Sequence, residues 1–106
     1  MAGIGGNAIV RSIRVQCFQD RLVLLPSGTS GSGEVFPLSS GDVEQASLRL
    51  ATAVRDRIEQ WGPALIGGRW EPRLDVEVMP RAEARFHQLR TLFQGSGVEV
   101  IGRPSQ

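Results

Sequence analysis

The stretch Leu74-Asp75-Val76-Glu77-Val78 alternates apolar and charged residues, the period-two pattern of a strand with one buried face; Met79-Pro80 ends it. From Arg81 to Gln94 the period changes. Ala82, Phe86, Leu89 and Phe93 recur at helical spacing with Leu92 on the flank, the stripe of an amphipathic helix. Gly95 stands where a left-handed C-cap belongs, and Ser96-Gly97 leads into a second strand, Val98-Glu99-Val100-Ile101. Strand, helix and strand in such close succession form a βαβ unit, whose two strands are parallel and joined by a right-handed crossover.

Upstream, Ile13, Val15 and Cys17 alternate with Arg14 and Gln16, which predicts a strand. Gln19-Asp20 is a plausible turn into the apolar run Leu22-Val23-Leu24-Leu25, stopped by Pro26; the two segments are expected to pair as an antiparallel hairpin. Ser27 to Gly33 contains only Gly, Ser and Thr, the composition of a mobile loop. A phosphate-binding P-loop would need a lysine and a helix next, and Glu34-Val35-Phe36-Pro37-Leu38 reads as a short edge strand instead. Ser39 or Asp42 supplies an N-cap for a long helix carrying Val43, Ser47, Leu50, Val54, Ile58 and Trp61 on one stripe. Arg55 and Glu59 are spaced for an i,i+4 pair, and Gly62-Pro63 stops the helix. Ala64 to Pro72 reads as a connection.

The element order is therefore β-β-β-α-β-α-β. It predicts an α+β fold, a two-layer sandwich in which a mixed sheet carries both helices on one face. The expected domain spans residues 13–102, between a flexible lead-in, 1–12, and a polar tail, 103–106. The opposite sheet face would show Arg14, Gln16, Asp75 and Glu77, solvated or kept for a partner.

Composition narrows the chemistry. With 106 residues, 41% hydrophobic and 22% charged, the chain reads as one soluble, cytoplasmic globular domain. No apolar run approaches the ~18 residues of a membrane span. The net charge is +1, which gives no strong nucleic-acid signal. All twelve cations are arginine and none is lysine, as codon bias in a GC-rich genome produces. Schiff-base and Walker-type lysine chemistry are excluded. A lone Cys17 excludes an intramolecular disulfide.

Four constellations could carry function. Cys17 and the only histidine, His87, could form a nucleophilic pair if both reached a cleft with an orienting group, but Cys17 sits on the inward register of its strand. Asp75 and Glu77 leave one face and could share a divalent metal; meeting Arg14 or Arg73 is the plainer role. Gly67-Gly68 beside Arg69 and Trp70 could form a binding loop, or Trp70 could cap the core. Pro80-Arg81 opens a helix just after a strand, and its N–H groups with the forks of Arg81 and Arg85 would suit a small anion or nucleotide.

Several segments together carry a resemblance: Ile13-Arg14-Val15-Gln16-Cys17, Arg21-Leu22-Val23-Leu24-Leu25-Pro26, Trp70 to Pro80, Arg85-Phe86-His87-Gln88-Leu89 and Gly95 to Val100. They are similar to a soluble C-terminal module of bacterial, planctomycete-type proteins. The resemblance covers most of residues 13–101, implies a domain that follows another segment, and transfers no catalytic residue. No catalytic, cofactor or metal set stands out. The expectation is a non-enzymatic interaction or assembly module, binding a protein partner or forming a homodimer through a sheet edge or the polar sheet face. The alternative is anion or nucleotide binding at Pro80-Arg81.

Overall fold

The computed structural model describes residues 7–26, 33–38, 43–64 and 67–104. The glycine-serine loop at 27–32, the cap residues Ser39 and Asp42, and residues 1–6 and 105–106 of the two ends lie outside them. Seven elements follow the expected order: β1 (Asn7–Cys17), β2 (Arg21–Leu24), β3 (Glu34–Pro37), α1 (Val43–Gln60), β4 (Gly68–Val78), α2 (Glu83–Phe93) and β5 (Glu99–Pro104). The strands form one mixed sheet in the order β3-β2-β1-β4-β5. β1 and β2 make the antiparallel hairpin, β4 and β5 run parallel across α2, and β1 pairs parallel with β4. The fold is α+β, with the helices packed against the sheet.

Side-chain alternation explains why one face is covered. Ile13, Val15 and Cys17 of β1, Leu22 and Leu24 of β2, and Leu74 and Val76 of β4 are all buried. They meet Ala46, Leu50 and Val54 of α1 and Ala82, Phe86, Leu89 and Phe93 at and within α2, in a single core. Each fully buried Leu or Val here contributes about 1.5–3 kcal/mol of transfer free energy. α2 ends as its glycine requires: Gly95 has φ 78°, and the Ser96 N–H donates to the Phe93 carbonyl at 3.1 Å.

Both ends of the expected domain are longer than the periodicity suggested. β1 begins at Asn7, inside the stretch read as a lead-in, and β5 takes in Arg103 and Pro104. Gly68 to Pro72, read as part of a connection, belong to β4. The register pairs Asn7–Cys17 with Gly68–Val78 residue by residue, so each stretch becomes a strand because the other supplies its ladder. Pro72 is tolerated for a geometric reason. The Met79 N–H donates to the Cys17 carbonyl, so odd residues of β4 aim their peptide groups at β1 and even ones aim away. The nitrogen of Pro72 therefore faces away from β1, at a height where β5, whose pairing starts at Arg73, has not begun. No ladder bond is lost.

Candidate functional site

The fold places the four constellations in different surroundings. Cys17 is fully buried, and its thiol points at the Ala82 carbonyl, 3.9 Å away. Burial pushes that thiol up to about 11, while the Arg85 guanidinium pulls the other way. His87 is exposed and lines an open groove of about 400 Å³ between the helices, together with Glu44, Gln88 and Thr91. A sealed thiol and a surface imidazole make no nucleophilic pair.

Asp75 and Glu77 do share the open sheet face, but their partners differ from those expected. Asp75 accepts from Arg103 Nε at 2.8 Å, Glu77 accepts from Gln16 Nε2 at 3.2 Å, and Arg73 turns to Glu99 at 3.2 Å. The parallel register brings β5 against β4, so β5 supplies the partners of Asp75 and Arg73, while β1 supplies that of Glu77. Among the described residues no group of three potential metal ligands forms. The Arg55–Glu59 ion pair is likewise not formed among the described residues.

At the start of α2, Arg81 is exposed and left-handed, with φ 71°. Arg85 donates through its Nε to the Gln19 carbonyl at 3.2 Å and through its Nη1 to Gln88. Glu83 already places a carboxylate in the first turn. The Arg85 fork is thus engaged with Gln19 and Gln88.

The fourth constellation leads somewhere. Trp70 Nε1 donates to the Gly62 carbonyl at 2.7 Å, and its ring meets Trp61 edge-on at 5.5 Å. Arg11 lies over both rings, 4.6 Å from the Trp61 centroid and 5.3 Å from that of Trp70. Arg69 is exposed and stands 4.0 Å from Glu71, outside this cluster. Beside the cluster is a small pocket of about 90 Å³ lined by Arg11, Ser12, Arg14, Arg57, Trp61 and Pro26. Arg57 closes one wall by donating to the Leu25 carbonyl at 2.6 Å.

This pocket adjoins a strand edge that has no partner strand among the described residues. Leu25 N–H donates to the Arg14 carbonyl, the last bond between β1 and the β2 side among the described residues. By strand alternation the peptide groups of Ala8, Val10 and Ser12 aim to that same side, and among the described residues they meet no partner strand. The other edges without a partner strand among the described residues differ. On β3 the outward residues are Val35 and Pro37, on the free part of β4 they include Pro72, and on β5 they include Pro104. Each of those three edges presents a proline with no N–H to give, a common device against strand pairing. The β1 edge has none.

Arg11, Arg57 and Trp61 escaped the reading of the sequence as a site because they come from two elements whose contact is tertiary, and because residues 1–12 read as a lead-in. The one available signal was the lysine-free, arginine-only cation set. No known protein family, curated protein or solved structure matches the chain.

Proposed function

We propose that the chain is a non-enzymatic protein-interaction module that accepts an extended partner segment as an added strand. The observation that carries this reading is the free edge of β1 over Ala8–Ser12, the one free edge without a proline among the described residues. Strand addition draws affinity from main-chain hydrogen bonds and specificity from pockets for alternate side chains; here the pocket is the arginine-lined one beside Trp61. The polar sheet face, whose charges are largely paired with one another, has less to offer a partner. Small-anion binding at Pro80-Arg81 is the alternative reading; the Arg85 fork it would draw on donates through its Nε to the Gln19 carbonyl.

The test is a Val10→Pro substitution. Val10 is 45% exposed and its N–H faces the open side, so proline removes a donor from the edge without breaking the β1–β4 ladder. Random dodecapeptides displayed on phage are panned against the chain and against the variant, with the variant's melting curve as a folding control. A proline-free consensus recovered on the chain and lost on the folded variant is the expected result. Equal recovery on both proteins refutes strand addition at this edge.

A further inference from the structure

The charge around the open edge names the chemistry of its occupant. Arg11, Arg14 and Arg57 line the pocket at the inner end of the free β1 edge, and no carboxylate is among the lining residues. None of the three belongs to an ion pair among the described residues. The carboxylates nearest in register, Glu71 opposite Val10 and Asp75 opposite Arg14, stand on β4 beside Arg69 and Arg103 respectively. Alternation divides the cations between the two faces of the sheet: Arg11 lies on the helix side with Arg57, and Arg14 on the open side. A strand laid against β1 therefore finds guanidinium forks for its side chains on both faces.

We infer that the occupant is an acidic extended segment of a partner protein, its carboxylates held by Arg11, Arg14 and Arg57. A second copy of this chain fits poorly. Residues 7–14 carry two arginines and no acid, so pairing one β1 with another brings like charges together. Pairing β1 with β3 or β5 of another copy meets an outward proline. This inference rests on strand addition at β1, and the experiment separates the two.

Three fluorescein-labelled octapeptides, (Thr-Glu)₄, (Thr-Gln)₄ and (Thr-Lys)₄, are titrated into the full chain, its Val10→Pro variant and an Arg11→Gln/Arg14→Gln double variant, by anisotropy at low and high salt. The expected result is at least tenfold tighter binding of the acidic peptide than of the neutral one. That ratio shrinks in high salt and in the double variant, and all binding is lost with Val10→Pro. Equal binding of the acidic and neutral peptides, both lost with Val10→Pro, overturns the carboxylate preference and leaves strand addition standing. Acidic-peptide binding that survives Val10→Pro overturns both and assigns the contact to surface charge. Failure of all three peptides to bind the full chain overturns the inference.

Discussion

Raising the pH above 9 should destabilise this protein through one side chain. Burial holds the Cys17 thiol near 11, against an ordinary value of 9.0. The neutral thiol is favoured in the folded state, so above pH 9 the unfolded chain loses its proton while the folded chain keeps it. Stability is full below pH 9 and falls as the pH rises toward 11. A two-unit difference corresponds to a loss of about 1 kcal/mol by pH 10 and about 2 kcal/mol by pH 11. The chain has no tyrosine and no lysine, so the other side-chain types that ordinarily titrate near pH 10 are absent. Urea unfolding midpoints at pH 8, 9, 10 and 11 under reducing conditions, for the chain and for Cys17→Ala, read the effect directly. The substitution lowers stability at pH 8 by deleting a buried sulfur, but flattens the alkaline decline. Parallel declines in the two proteins would refute the assignment, as would a Cys17 that reacts with a thiol reagent at pH 8 as fast as an unfolded peptide does.

Gly102 lets β5 lie close beneath α2: a Cβ there would run into Phe86 Cζ and sit 2.7 Å from Cε2. Gly102→Ala should cost about 1–3 kcal/mol by overpacking and lower Tm by roughly 10 °C; Phe86→Leu in the same chain should return part of it, read as a double-mutant cycle in urea. Arg81 carries a left-handed backbone that costs a side-chain-bearing residue about 1–2 kcal/mol, partly offset in glycine by unfolded-chain entropy. Arg81→Gly should raise Tm by a few degrees, whereas Arg81→Val should lower it. Trp70→Phe removes the donor to Gly62 and should cost about 1 kcal/mol in urea, with Arg11→Gln costing less because its ring contacts are near the surface.

The core was legible in the sequence where alternation or helical spacing was strong. Ile13, Val15, Cys17, Leu74 and Val76, and the Ala82–Phe93 stripe, are buried as their periods imply. What stayed hidden is the part of β1 and β4 that lacks a clean period. Ala8, Ile9 and Val10 show no polar alternation, and Trp70-Glu71-Pro72 contains a residue that ordinarily ends a strand. Each becomes a strand through an eleven-residue parallel partnership between segments far apart in the chain, and the direction in which a proline nitrogen points depends on that partnership. The partners of Asp75 and Glu77 were missed for the same reason: polar pairs across a sheet follow register, which local spacing does not encode.

The three outward prolines, Pro37, Pro72 and Pro104, each remove one main-chain donor from an edge of the sheet. If β1 receives a partner strand as proposed, a further strand arriving at any of the other edges finds a gap in its ladder, which disfavours growth end to end into a fibre.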